Sequence, residues 1–519
     1  MCCSSWSLFL PLLLLVVPIS CFPPCVSSSI GSYHVNKNKN NQAPPNNMDP
    51  SEAETLFNIM DSMSSDHTWR ISFPNPCNSA SSWPGIECKP GQNDKLLHVS
   101  RLDFGSPPNP SCKTTATFPS QVFTLPYLQS LFFFHCFTQT KTNISLPLLS
   151  HPSNASSLQQ LSLRSNPALV GPIPSQISSL HSLQILTLSQ NRLAGRIPVQ
   201  IFSLNSLVHL DLSYNLLTGP IPPQLGSLRN LVGLDLSYNS LSGSIPDTIG
   251  QMGLLQKFDL SSNFLVGNIP DSIEKLNSLV FMALSSNRLG GKFPQGLAKL
   301  QSLQYFIMDD NPMFIPLPEE FGKLMKLQEL RVANSGYSGT IPTSFSHLTN
   351  LSTLSLQNNR LTGEIPEGFG SLSHIYHLNL SRNMLAGIVP FNSIFLKRLG
   401  RNLDLSANPG LCLSPSEAYG VKIGVNVCGT NRTVSTIQPF NKSEAPSGLC
   451  KSLFLLCFIL CTSVLALHHI SFSAWISSFF SLNFFCFHLV LSMIYPFSYL
   501  FYLFWLKNAL VSANLYQRI

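Results

Sequence analysis

From Leu158 to Pro390 the apolar positions follow one spacing, written ten times. One copy reads Leu231-Val-Gly-Leu234-Asp-Leu236-Ser-Tyr-Asn239-Ser-Leu241-Ser-Gly243-Ser-Ile245-Pro246. The Asn position recurs at Asn166, Asn191, Asn215, Asn239, Asn263, Asn287, Asn311, Ser335, Asn359 and Asn383; the first step is 25 residues and every later one 24. Within Leu-x-x-Leu-x-Leu-x-x-Asn the leucines alternate with residues that must point the other way, as a pleated strand requires. The pattern predicts one short strand per repeat, with the Asn turned inward at its end to satisfy backbone groups of the following bend. The Leu-x-Gly-x-Ile-Pro that follows supplies a tight turn at Gly and a fixed φ at Pro.

A period of this length with this wording is the signature of a leucine-rich repeat solenoid. The expected fold class is an α/β repeat solenoid: an arc whose parallel strands line the concave face. No single copy can bury its apolar side alone, so stability comes from stacking, and both raw ends need caps. At the N-terminal end Ser51 and Glu54 suggest a capping box, and Leu56, Ile59, Met60 and Met63 then fall on one helical face. Trp69 and Trp83 are expected in the core of this cap, and Cys77 and Cys88 are placed to pin it. Leu128-Gln-Ser-Leu131-Phe-Phe133-Phe-His-Cys136 is a repeat strand with Cys in the Asn place, followed by an insertion before Asn166. Cys112 can pair with Cys136. Leu399 to Cys412 is a last partial repeat, and a Cys412–Cys428 bridge closes the other end.

The ends of the chain are different. Residues 1–21, with the apolar run Leu8–Val17, are expected to be a secretory signal peptide. Residues 22–48 form a polar lead-in, 49–112 the N-terminal cap, 113–411 the repeats, and 412–430 the C-terminal cap. Residues 431–451 are expected to be a glycosylated stalk. From 452 to 506 there is no Asp, Glu, Lys or Arg, a stretch long enough for one or two membrane spans. A lipid-anchor signal is a further option, and residues 507–519 make a short polar end. Acceptor sequences for N-glycosylation begin at Asn143, Asn154, Asn350, Asn379, Asn431 and Asn441. Signal, acceptors and paired cysteines agree on the secretory pathway and an oxidising compartment, with an outward-facing protein at the plasma membrane.

Composition narrows the chemistry. Only 11% of residues are charged and the net charge is +7, spread without a basic helix or cluster, which argues against nucleic acid. No phosphate loop, His-Glu-x-x-His, Gly-x-Ser-x-Gly or metal-type Cys-x-x-Cys pair occurs, and no kinase signature follows the stalk. No catalytic residue, metal or cofactor is expected. His209 and His377 are expected as solvated strand residues.

Binding is left, and the concave face is the place for it. Its outward column carries Asp211, Asp235 and Asp259, with Tyr214 and Tyr238 beside them. The Asp ladder is common scaffold wording; the departures say more. Repeat seven has Ile315 where Gly is usual, and repeat eight has Ser335 for Asn. There Phe281, Tyr305 and Ile307 are expected to form an outward apolar patch rimmed by Asp309, Asp310, Glu329 and Arg331, the composition of a protein partner's site.

The Leu-x-Gly-x-Ile-Pro wording, the Trp83-Pro-Gly-Ile-Glu-Cys88 segment and the paired end cysteines resemble the plant receptor-like proteins that lack a kinase. The resemblance implies a plant-type extracellular arc with disulfide-bridged caps, whose partners are a receptor-kinase ectodomain, a secreted peptide, or both. The alternative is a secreted wall-associated inhibitor of a pathogen's polysaccharide-degrading enzyme, since that family also resembles a ten-repeat solenoid of this wording.

Overall fold

The structure is a computed structural model. It describes residues 48–429, apart from 67, 79–82, 92–93, 95, 106, 147–156 and 419–422. The expected signal peptide, stalk, apolar tail and polar end, most of the lead-in, and Asn154, Asn431 and Asn441 therefore lie outside the described residues. By its own contacts the chain divides into a unit ending at Thr430 and a second from Asn431 onward. Among the described residues no helix is long and apolar enough to cross a membrane.

One sheet of 14 strands runs through the first unit. Its first pair, Ile86–Pro90 and Leu97–Phe104, is antiparallel. Every later pair is parallel and in step, so that Gly233, Leu234 and Asp235 face Lys257, Phe258 and Asp259. In each repeat the strand leucines are buried, along with the apolar residues of a five-residue 3-10 turn on the far side, such as Pro223–Ser227. Between the two, short strands after most of the Asn positions build a six-stranded and a five-stranded sheet on the flank.

The Asn residues tie repeat to repeat. The Asn215 amide Nδ2 donates to the carbonyls of Leu188 and Leu212, 2.8 and 3.1 Å away, while its Oδ1 accepts from the Leu193 amide at 3.0 Å. The same bonds recur at Asn239, Asn263 and Asn287. Burying an amide is favourable only when it is satisfied in this way. To aim that side chain inward, the residue before each Asn takes a left-handed backbone: Tyr214 has φ 53° and Tyr238 has φ 52°. Such a conformation costs about 1–2 kcal/mol for a residue with a Cβ, and the Asn bonds on either side hold it there.

Repeats seven and eight depart from this rule as their wording does. The flank Gly elsewhere sits at φ from 73° (Gly339) to 95° (Gly387), which a β-branched Ile315 cannot adopt without strain. The left-handed bend moves one residue back, to Phe314 at φ 48°. The flank sheet stops at Arg288–Leu289 and resumes at Ser338–Thr340. Ser335 covers for the missing Asn with one hydroxyl, accepting from the Asn311 amide at 3.2 Å and donating to the Ala333 carbonyl at 2.8 Å.

The N-terminal cap forms with one correction. The helix is Pro50–Met63, and its N-cap is Asp49, whose Oδ1 accepts from the amides of Ser51 and Glu52. Ser51 lies inside the first turn, because Pro50 with its fixed φ is best placed at the first helical position; the Ser51–Glu54 capping box is not made. Leu56, Ile59, Met60 and Met63 are fully buried. Trp69 stacks on Trp83, 6.1 Å between ring centres, and Trp83 meets Phe104 edge-on, which carries the cap into the first repeat. Disulfides join Cys77 to Cys88, Cys112 to Cys136 and Cys412 to Cys428.

Candidate binding face

The outward positions of the concave sheet form two columns. One holds His209, Gly233, Lys257, Phe281, Tyr305, Glu329, Thr353 and His377; the other runs from Asp211 through Asp259 and Ile307 to Asn379. Repeats three to five make the second column acidic, with Asp211, Asp235 and Asp259. Each Asp closes a local turn: Asp211 Oδ1 accepts from the Ser213 amide at 3.0 Å, and Asp235 and Asp259 repeat this with Ser237 and Ser261. This scaffold use leaves one oxygen of each carboxylate for other partners. Lys257 Nζ takes Asp235 Oδ2 at 2.8 Å. Burial, reinforced by the negative charge of Asp235, pushes the Asp259 carboxyl up to about 6.

Tyr214 and Tyr238 stack face to face beside this ladder, 4.1 Å apart and 9° from parallel, each about half exposed. The left-handed backbone before the Asn turns both rings the same way, one repeat apart. His209 and His377 are half-buried rather than solvated, and burial lowers the pKa of each. His209 lies over Gly233, where a Cβ would stand 2.6 Å from its Nδ1.

In the middle of the face the structure brings Phe281, Tyr305 and Ile307 together on paired strands. The Phe281 and Tyr305 rings are 6.1 Å apart and tilted, and all three residues are half-buried. The Tyr305 hydroxyl donates to Gln328 Oε1 at 3.1 Å. The patch is present, though more recessed than the alternation alone implies, since concave curvature crowds neighbouring strands.

The rim needs correction at Asp309. This residue is 5% exposed and is not a free surface charge. Its Oδ2 is bonded by Arg331 through Nε at 2.9 Å and Nη2 at 2.8 Å, and its Oδ1 accepts from the Ala333 amide at 2.7 Å. Burial raises its pKa against the opposing pull of Arg331. Glu329 is half-buried too, 3.8 Å from Arg331 Nη1. Asp310 stays exposed. Of the acceptor asparagines, Asn143 and Asn350 are exposed, whereas Asn379 is half-buried on the concave sheet with Oδ1 held by the Ser381 amide and hydroxyl. Among the described residues no group of His, Cys, Asp or Glu is placed to hold a metal ion.

Models of the leucine-rich repeat match residues 156–217 and 325–385, and 230–252 and 254–276. Over 145 residues the chain is 70% identical to Receptor like protein 29 of Arabidopsis thaliana. Over these segments the chain carries leucine-rich repeats, and in the aligned part it is similar to a plant receptor-like protein. That match takes in 28% of this chain and 31% of its relative, so it spans about a third of the relative's length. Among solved structures, the crystal structure of PEPR1-AtPEP1 superposes with a TM-score of 0.58 at 28% identity, covering 70% of this chain and 51% of that one. A TDR receptor gives 0.51 at 29% identity, covering 57% and 50%.

Proposed function

We propose that this chain is a cell-surface binding protein that takes a protein or peptide partner on its concave face and signals through an associated receptor kinase. The observation that carries the reading is the Phe281–Tyr305–Ile307 patch, set between a carboxylate ladder on one side and the Asp309–Arg331–Glu329 cluster on the other. Between His209 and Asn379 the other outward residues of these strands are small or polar, so the patch gives this part of the face an apolar centre with a polar surround. The likeness to a solved PEPR1-AtPEP1 structure supports a ligand on such an arc. Asp310 and Arg331 supply the exposed charge beside the patch, and Tyr214 and Tyr238 a second aromatic contact.

In this reading the segment 452–506 holds the arc to the plasma membrane, the caps and stalk face outward, and Asn143 and Asn350 carry glycans on exposed turns. In the same reading the protein acts through the ectodomain of an associated receptor kinase. The test is to extract the full-length protein from plant membranes with mild detergent and identify what co-purifies. One or more receptor kinases are expected. Release by a salt wash without detergent, with no kinase attached, would instead fit a free wall-associated inhibitor.

A further inference from the structure

The flank sheets present a second face that the concave reading does not use. Their inward residues, Leu193, Leu217, Leu241, Leu265 and Leu289, are fully buried, so the residues between them point to solvent. Those outward positions are Arg192, Leu216, Phe264, Val266 and Arg288, and beyond the break Arg360. All six are exposed. The next column adds exposed Arg196 and Lys292 against one carboxylate, Glu364. Among the described residues none of Arg192, Arg196, Arg288, Lys292 and Arg360 forms an ion pair. The other acids of the repeats lie elsewhere: on the concave strands, and in the 3-10 turns at Asp247, Asp271, Glu274, Glu319, Glu320 and Glu367.

Two of the cations on this flank are paired with rings. The Arg288 guanidinium lies 5.0 Å from the Phe264 ring centre, and Arg360 lies 5.3 Å from that of Phe314. The second pair spans two repeats because Phe314 lies flat over repeat eight. A Cβ on Gly336 would stand 2.5 Å from Phe314 Cδ1, so glycine there leaves the ring its path. Phe314 is 61% exposed in this position. A guanidinium held over a ring keeps its edge donors free for a carboxylate, while ring and Arg together make a flat apolar base. Arg and aromatic side chains are the types enriched at protein interfaces.

We propose that this flank is a second docking surface, for an acidic polypeptide segment that also carries apolar side chains. Its carboxylates pair with Arg288 and Arg360, and its apolar groups lie on Phe264, Val266 and Phe314. The excess of unpaired cations fixes the sign of the partner. The exposed rings and Val266 favour a polypeptide over a purely anionic polymer, which has nothing to lay on them.

The probe is an immobilised random copolymer of glutamate and tyrosine, with poly-glutamate and polygalacturonate alongside, and the full-length protein in detergent flowed over each. The copolymer is expected to bind best, with affinity falling as salt is raised. Arg288→Ala with Arg360→Ala is expected to weaken copolymer binding by about tenfold or more, as is Phe264→Ala with Phe314→Ala. Circular dichroism of each variant checks that the solenoid is intact, and Arg288→Lys with Arg360→Lys provides the charge-keeping comparison. Equal binding to polygalacturonate, or copolymer affinity unchanged in folded Arg or Phe variants, overturns the proposal.

Discussion

Asp309 of repeat seven and Arg331 of repeat eight lock the two irregular repeats together across the concave sheet. The guanidinium reaches Oδ2 at 2.8 Å, and Oδ1 holds the buried Ala333 amide at 2.7 Å. Asp309→Ala removes both bonds and leaves that amide without its acceptor, which costs about 1–3 kcal/mol. Arg331→Ala is expected to cost less, because this half-exposed side chain leaves one oxygen of Asp309 still bonded. Urea denaturation of both single variants and the double variant should reveal a coupling energy of at least about 0.5 kcal/mol. Strict additivity would mean that the pair does no structural work.

The pairing also explains what the sequence could and could not disclose. Periodicity made the solenoid legible, because each apolar position has one place to go. The same alternation put Phe281, Tyr305 and Ile307 on one face. It could not tell that Asp309 is buried, since that depends on a partner 22 residues away. Nor did it reveal the flank: Phe314 reaches Arg360 only because Gly336 lies between them and the left-handed bend has moved off Ile315. A hint was available in the joint loss of the usual Gly and Asn in neighbouring copies.

Asp259 gives the fold a pH dependence of definite sign. Its carboxyl is raised from the ordinary 3.8 to about 6, by burial first and by Asp235 second. The folded state therefore binds more protons than the unfolded chain between those values, so this group's contribution to stability falls as pH rises through that window. Asp259→Asn should flatten the slope there, read from urea midpoints at successive pH values. A slope that persists in the variant would assign the effect to another group.

Tyr337 stands where most repeats have leucine, and it is fully buried with no hydrogen-bond partner for its hydroxyl among the described residues. Tyr337→Phe keeps the ring against Phe293, 6.4 Å away. Deleting a buried unpaired hydroxyl should leave stability unchanged or raise it by about 1 kcal/mol. Calorimetric melting of the variant checks this. A fall of the same size would reveal a bond to that oxygen.

Gly336 sits at φ 75° beneath the Phe314 ring. Gly336→Ala adds a left-handed cost of about 1–2 kcal/mol and drives the ring off its seat over repeat eight. The expected result is a lowered melting temperature that Phe314→Ala partly restores, because the smaller side chain removes the clash. If the second change restores nothing, the two residues are not in the contact described.

In the proposed function the concave apolar patch of Phe281, Tyr305 and Ile307 is the partner's site. This is tested most directly by measuring the affinity of the full-length protein for the ectodomain of a co-purifying receptor kinase, with any secreted peptide required. The wild type is compared with a variant carrying Phe281→Ala, Tyr305→Ala and Ile307→Ala. Loss of three contact residues at the centre of an interface is expected to weaken binding by at least about 100-fold, with the circular dichroism of the solenoid unchanged. Undiminished affinity in a folded triple variant would contradict the account.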